Sequence, residues 1–274
     1  MLLDVAAEVT ANTQLSPDYN VIALSAPDIA RVAQPGQFVM IRTQPGLDPL
    51  LRRPFSIFER LRDASGSFTG VSLLNKRVGV GTSLLFSARQ GDRVGVLGPL
   101  GRAFVPVDPP AEAWMVAGGV GLAPFVTLAE ALVERGTPMR LFYGARSAAD
   151  LYYADWFERL GAALHLTTED GSRGDRGRVT LPLLHALETT PAQQHVALYA
   201  CGPTPMMRAV AGAAEHHGRS VAVSLEPVMG CGMGGCYSCV VPVRRGAGRQ
   251  FVRACLEGPI FDGQAIVWDA LGGH

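Results

Sequence analysis

Two things are nearly missing from this 274-residue sequence: lysine, and an excess of charge of one sign. Of 24 basic residues only Lys76 is a lysine, and 24 acidic residues bring the formal net charge to zero. A nucleic-acid binder would show a basic excess, so that class is set aside. A long uninterrupted hydrophobic run is also lacking. The best candidate, residues 115–133, carries only Glu130 as a charge, but Gly118, Gly119, Gly121 and Pro124 break its middle. That suits a buried strand, a turn and a helix better than a bilayer helix, so no membrane association is expected. Asp4 and Glu8 interrupt any apolar leader. Cysteine is scarce, at five, yet four of the five fall in the last 44 residues, as a site would place them. A soluble cytoplasmic protein is the expectation.

What is abundant is glycine and proline, 32 and 19 residues, with no collagen period. Together they well exceed the usual ~12% and must occupy many special turns. The length and the 48% apolar content fit one large or two ordinary globular domains. Residues 1–103 read as short β runs (37–42, 54–58, 70–74) separated by Gly, Pro, Asp and Ser, which suggests a small antiparallel barrel. Residues 91–101 read as a turn, a short strand and another turn. After a Pro-rich linker at 106–110 the rhythm changes. Strand candidates at 114–117, 139–143, 163–167, 196–200 and 221–225 alternate with helical stretches. One helix carries Phe125, Leu128, Ala129, Leu132 and Val133 as a buried stripe, with Gly136 to end it. Another spans residues 150–160, and a third is entered by Thr204 as N-cap with Pro205 at N1. Alternating strands and helices imply a doubly wound parallel sheet. The expected boundaries are 1–105, 106–225 and a Gly/Cys-rich tail, 226–274.

The strongest chemical signal lies in that tail: Cys231-x4-Cys236-x2-Cys239, then Cys255. This is plant-type [2Fe-2S] spacing, in which three thiolates converge from one tight loop. Gly230, Gly232, Gly234 and Gly235 give the loop its backbone freedom. Structural zinc fits less well, because only Cys236 and Cys239 form a knuckle. Disulfides would need an oxidising compartment, for which nothing argues. A second signal is Arg53-Pro54-Phe55-Ser56 followed by Gly79-Val80-Gly81-Thr82, with Lys76 between. An arginine pairs bidentately with phosphate, and a Gly-Thr turn opening a helix at 83–88 offers backbone donors to the same group. Read separately, these are equally a surface turn and an ordinary loop. A third is the run Gly118-Gly119-Val120-Gly121 between a strand and an amphipathic helix, where a glycine-rich loop receives a dinucleotide or simply makes a tight βα turn. The fourth, Cys201-Gly202-Pro203 with Met206, follows another strand. Cys201 reads either as part of a nucleotide crevice or as a small buried residue.

The order of these motifs, with Tyr143-Gly144-Ala145-Arg146 between the last two, resembles the ferredoxin-reductase superfamily over residues 5–225. The tail, Ser224-Leu225-Glu226-x-x-Met229-x-Cys231 through Cys239 and then Cys255-x-x-Gly258-Pro259-x-Phe261, narrows it. It is similar to the iron–sulfur electron-transfer subunits of class 1B dihydroorotate dehydrogenases, and Glu169-Asp170-Gly171-Ser172 fits that pattern too. The resemblance implies an FAD barrel, an NAD-binding α/β domain and a [2Fe-2S] domain. Arg53, Pro54, Phe55 and Ser56 would line FAD, with Ser56 near its reactive edge and Arg53 on phosphate. Leu74, Asn75 and Lys76 would flank the flavin, and Gly81 and Thr82 would hold its pyrophosphate. Cys231, Cys236, Cys239 and Cys255 would ligate the cluster. Gly118, Gly119, Gly121, Cys201, Gly202, Pro203 and Met206 would receive NAD.

The implied partner is an FMN-containing dihydroorotate dehydrogenase catalytic subunit, two copies of each chain making a heterotetramer that serves pyrimidine biosynthesis. Such a route needs no acid–base dyad, and none is evident. His216 and His217 read as solvated surface and His165 as packing. Two rivals remain: a similar reductase subunit of a hydrogenase or a ferredoxin:NADP oxidoreductase, and a non-redox nucleotide-binding module with a zinc-stapled tail. For the nicotinamide, Arg146 and Ser147 favour a 2′-phosphate whereas Glu169 and Asp170 repel one; the resemblance leans to NAD.

Overall fold

Alternating apolar residues in the first hundred positions build a seven-stranded antiparallel sheet. Its strands are β1 (Leu3–Gln14), β2 (Tyr19–Leu24), β3 (Phe38–Arg42), β4 (Arg53–Ser56), β5 (Glu59–Arg62), β6 (Phe68–Lys76) and β7 (Arg93–Leu100), in the order β4-β3-β7-β1-β2-β6-β5. The computed structural model describes residues 2–44, 48–246 and 248–271. Val9, Ile22, Leu24, Val39, Ile41 and Val96 fill the interior of the rolled sheet. Residues 91–101, expected to hold a short strand, instead give the eight-residue β7, because it is sandwiched between β1 and β3 and hydrogen-bonds to both. Helix α1 (Pro27–Val32) covers β6, and α2 (Val80–Ser87) begins three residues earlier than expected.

The second sheet comprises β8 (Glu112–Gly118), β9 (Met139–Ala145), β10 (Ala163–Thr168), the two-residue β11 (Asp175–Arg176), β12 (Val196–Cys201) and β13 (Val221–Ser224), all parallel. With β16 (Ile260–Asp262) contributed by the tail, the order is β11-β10-β9-β8-β12-β13-β16. Alternate side chains of β8 serve the two faces. Trp114 and Val116 pack with α5 (Thr180–Thr189) and α6 (Thr204–His216), whereas Met115 and Ala117 pack with α3 (Ala123–Arg135) and α4 (Ala154–Arg159). This is the doubly wound arrangement expected. Burying each large apolar side chain there contributes about 1.5–3 kcal/mol relative to exposure. Gly136 ends α3 in the left-handed conformation, at φ 68°. Two local expectations shift. The helix expected over 150–160 is only α4, because Tyr153 takes a positive φ of 59° and interrupts it. The N-cap of α6 is Pro203, with Thr204 already helical. Among the described residues no helix is long and apolar enough to cross a membrane.

The rest of the tail forms a hairpin, β14 (Val240–Arg245) and β15 (Gly248–Arg253), followed by α7 (Ala254–Glu257). Strand β16 runs antiparallel to β13 and joins the edge of the second sheet. Gly36 shows how closely the parts meet. Its φ is 78°, and an added Cβ would stand 2.5 Å from Phe104 and 2.7 Å from Ile260 of β16.

The seam between the sheets also buries charge. Arg60 Nε of β5 lies 3.9 Å from Glu130 Oε2 of α3. Burial, only partly offset by Arg60, lifts the Glu130 carboxyl to about 7. A folded-state pKa above the unfolded one means the native chain holds the proton more tightly. The stabilisation is therefore complete below about pH 4.5 and is lost as pH rises through about 7. At 1.36 kcal/mol per pKa unit the full loss is about 3 kcal/mol, of which about 2 kcal/mol falls between pH 5.5 and pH 8. Denaturant unfolding at pH 5.5 and pH 8 should show this fall in the wild type and a flatter profile in Glu130→Gln; equal slopes would contradict it.

Candidate functional site

The cysteine loop is built by the hairpin and by glycine. Register pairs Val240 with Arg253, and the Ala254 N–H donates to the Cys239 carbonyl at 2.9 Å. The two ends of the hairpin thus bring Cys239 and Cys255 together, both buried. Burial and the adjacent Cys239 push the Cys255 thiol up to about 12. At the other end Cys231 and Cys236 face each other nearer solvent. The Met233 N–H donates to Cys231 Sγ at 3.3 Å, and Ser238 Oγ lies 3.2 Å from Cys236 Sγ. Hydrogen bonds from Ser238 and then from the Cys231 segment bring the exposed Cys236 thiol down to about 6.

The donor set is therefore two pairs, Cys231 with Cys236 and Cys239 with Cys255. Among the described residues no three His, Cys, Asp or Glu side chains close on one point, as a mononuclear ion requires. A dinuclear cluster asks for two thiolates per iron, so the paired donors fit [2Fe-2S] better than tetrahedral zinc. Gly232 and Gly234 hold left-handed backbone, φ 73° and 79°, and each lies where a Cβ would collide. At Gly232 that Cβ would stand 2.5 Å from Met40 Cγ and 3.2 Å from Leu100 Cδ1. The loop is seated directly on the first sheet.

The Arg53 and Gly-Thr signals also meet. A Cβ on Gly81 would lie 3.2 Å from Arg53 Cγ, so the arginine stem runs beside the first turn of α2. Among the described residues the Arg53 guanidinium has no carboxylate partner; its Nη1 donates to the Leu51 carbonyl at 3.0 Å. Pro54, Phe55 and Ser56 continue the same strand, β4. Thr82 Oγ1 accepts the Val78 and Gly79 N–H groups at 2.9 and 3.0 Å, so its hydroxyl shapes the turn that offers the remaining amides of α2. A chain of asparagines anchors that helix. Asn75 Nδ2 donates to the Thr82 carbonyl and to Asn20 Oδ1, Asn20 to Asn12 Oδ1, and Asn12 to the Ala88 carbonyl. Asn75 Oδ1 is buried without a partner among the described residues, an acceptor that suits a ring N–H such as flavin carries. Leu74 is buried at the seam between the sheets. Lys76 Nζ sits 5.3 Å above the Tyr19 ring.

The two remaining signals converge at the switch point of the second sheet. Strands β8 and β12 are neighbours, Ala117 opposite Cys201, and their following turns pack together. A Cβ on Gly118 would stand 2.8 Å from Pro203 Cδ and from Met206 Sδ, and one on Gly121 would strike the Cys201 carbonyl. Gly202 lies equally close to Gly118, a Cβ there being 2.9 Å from its nitrogen. These glycines allow turn-on-turn contact. Gly119 differs: its φ is 55°, nothing stands within 4 Å of its Cβ position, and it lines a cavity of about 860 Å³. The space and bare backbone fit a dinucleotide at the carboxyl ends of parallel strands. Tyr19, Lys76, Arg146, Glu169 and Phe251 also reach this cavity, so both sheets and the hairpin contribute walls.

Glu226 has no role assigned from the sequence, where it is only a member of the tail motif. It follows β13, lines the cavity, and places Oε1 3.7 Å from Cys201 Sγ. Its surface is open to the cavity while protein encloses it on most sides, and that enclosure raises its pKa. Burial, then the Glu226 charge, holds Cys201 well above the thiol range; it is fully buried behind the residues that line the cavity, so it packs as a small neutral side chain and not as a nucleophile. The same rule that singles out the ends of β8 and β12 would have found Glu226 at the end of the next strand. His165 stacks on Phe142 at 4.6 Å, in keeping with a packing role, and His216 is exposed.

Arg53→Ala removes a charge-assisted phosphate contact of about 1.5–3 kcal/mol. Fluorescence titration of flavin-depleted protein should show FAD affinity falling about ten- to hundredfold at 1.4 kcal/mol per decade. Unchanged affinity would take Arg53 out of the site.

Comparison with known proteins agrees with this geometry. Residues 115–212 match the family model of the oxidoreductase NAD-binding domain, and residues 226–267 that of the iron–sulfur cluster binding domain of dihydroorotate dehydrogenase B. The chain is 36% identical to the electron transfer subunit of dihydroorotate dehydrogenase B (NAD⁺) from Desulforamulus reducens, over 96% of this chain and 98% of that one. It is 38% identical to the corresponding subunit from Geobacillus kaustophilus, over 90% and 91%. Among solved structures it superposes with a TM-score of 0.83 on a chain of the NADH-dependent reduced ferredoxin-NADP oxidoreductase, a structure that bears on flavin-based electron bifurcation. That match is 30% identical and covers 97% of this chain and 91% of that one. With paired cysteines, a flavin-type half-barrel and a nucleotide crevice in one fold, this chain belongs to the family of dihydroorotate dehydrogenase B electron-transfer subunits.

Proposed function

We propose that this chain carries electrons between an FMN-containing, dihydroorotate-oxidising catalytic subunit and NAD⁺, with FAD and a [2Fe-2S] cluster as its cofactors. In this reading it acts in the cytoplasm, in pyrimidine biosynthesis, within an assembly of two copies of each subunit. FAD, when bound, exchanges electrons in pairs with a nicotinamide and singly with a cluster. The protein's own work is placement. Residues 1–105 present Arg53 and the first turn of α2 to phosphate. Residues 106–225 offer the bare backbone at Gly119, with Gly202, Pro203 and Met206 from the neighbouring turn lining the same cavity. Residues 226–274 supply four cysteine sulfurs as two pairs, which would hold the cluster.

The observation that carries the reading is the seat of the cysteine loop. Gly232 presses on Met40, and Met40 is the ladder partner of Pro54 in the Arg-Pro-Phe-Ser strand. Cluster ligands and flavin motif are thus joined through one buried side chain. For the nicotinamide, Glu169 lines the cavity and Asp150 draws Arg146 to 3.8 Å, an arrangement that favours NAD over a 2′-phosphorylated nucleotide.

The cofactor-loaded chain should reduce an artificial acceptor with NADH in preference to NADPH, and should not oxidise dihydroorotate. Co-expression with a dihydroorotate-oxidising subunit should restore dihydroorotate:NAD⁺ turnover. Dihydroorotate oxidation by the chain alone would overturn the proposal. The match to a ferredoxin-NADP oxidoreductase chain supports a second reading, a reductase subunit for another partner. Copurification with a ferredoxin-dependent subunit and a strong NADPH preference would select that one.

A further inference from the structure

We infer that Ser238 tunes the cluster's reduction potential by donating its hydroxyl proton to the ligand sulfur of Cys236. This rests on the reading that the four cysteines hold a [2Fe-2S] cluster. Ser238 lies between two of those cysteines, and its Oγ makes two contacts. It accepts the Gly230 N–H at 2.8 Å and stands 3.2 Å from Cys236 Sγ. With a protonated thiol, either partner of the second contact can donate. A metal-bound cysteine is a thiolate and has no proton to give, so with iron in place only the hydroxyl can donate. The Gly230 N–H occupies an acceptor site of Oγ and leaves the hydroxyl proton for the sulfur.

Among the described residues, Ser238 is the one side chain other than the four cysteines that contacts a ligand sulfur in this way. Cys231 receives its hydrogen bond from the Met233 backbone, which no replacement at Met233 other than proline deletes. Reduction adds one negative charge to the cluster and its sulfurs. A donor to sulfur stabilises the reduced state more than the oxidised one and so raises the potential. Cys236 is exposed, whereas Cys239 and Cys255 are buried, so the donor acts on the outward-facing pair.

The test compares the cofactor-loaded wild type with Ser238→Ala, Ser238→Gly and Ser238→Thr in a spectroscopic redox titration, after iron content and the visible spectrum have been read for each. Ala and Gly should lower the equilibrium constant for one-electron reduction about tenfold, which corresponds to about 59 mV. Thr keeps the hydroxyl and should hold the wild-type potential. Loaded Ala and Gly variants at the wild-type potential would overturn the inference, as would a Thr variant shifted as far as Ala. Loss of iron from both Ala and Gly but not Thr would assign Ser238 to bracing Gly230 and overturn the tuning role. Absence of iron from the wild type would instead remove the cluster reading beneath it.

Discussion

The close approach of Gly232 to Met40 and Leu100 is the constraint on which the rest of the molecule depends. A loop of four glycines and three cysteines has little apolar surface of its own, so its shape must be imposed from outside. The first sheet imposes it from below through Met40 and Leu100. The hairpin and the short helix after it impose it from the side. There Leu256 stands 2.5 Å from the Cβ position of Gly234, and Arg253 donates to the Gly234 carbonyl at 2.8 Å. Strand β16 then ties the same tail to the nucleotide-binding sheet. One buried cluster reflects this joint. It contains Met40 and Leu100 of the first sheet, Trp114, Leu198 and Ala200 of the second, and Cys239 and Cys255 of the tail. The three parts of the chain therefore share buried surface, and a displacement of the loop is felt in both sheets.

The nucleotide crevice follows from the same economy of space. Parallel neighbours β8 and β12 end side by side, and their turns interlock because Gly118, Gly121 and Gly202 have no side chains. The interlock leaves Gly119 bare toward the cavity. It also buries Cys201 beside Glu226, which keeps the thiol neutral beneath the crevice. Nothing in this arrangement needs a proton-transfer pair, in agreement with a protein that positions cofactors and leaves the electron chemistry to them.

Local chemistry was legible in the sequence and long-range contact was not. The loop from Cys231 to Cys239 is readable because its ligands must converge within nine residues, and Arg53 and Gly81 because each carries its own phosphate chemistry. The pairing of Cys239 with Cys255 depends on hairpin register, which spacing alone does not give. Glu226 meets Cys201 only because β13 lies beside β12 in the sheet. The break before α4 had no glycine to announce it, since a tyrosine takes the left-handed conformation there. Gly121 was legible as a necessary glycine, but the Cys201 carbonyl packed behind it, which also requires glycine there, was not.

The central claim is that one chain holds a flavin and a cluster in electronic contact. An anaerobic titration of the cofactor-loaded chain with NADH, followed by visible and electron paramagnetic resonance spectra, tests it most directly. The account predicts bleaching of the flavin together with the signal of a reduced [2Fe-2S] cluster, and more reducing equivalents taken up than one flavin can hold. Bleaching of the flavin alone, with a cluster that NADH leaves oxidised but dithionite then reduces, would contradict it.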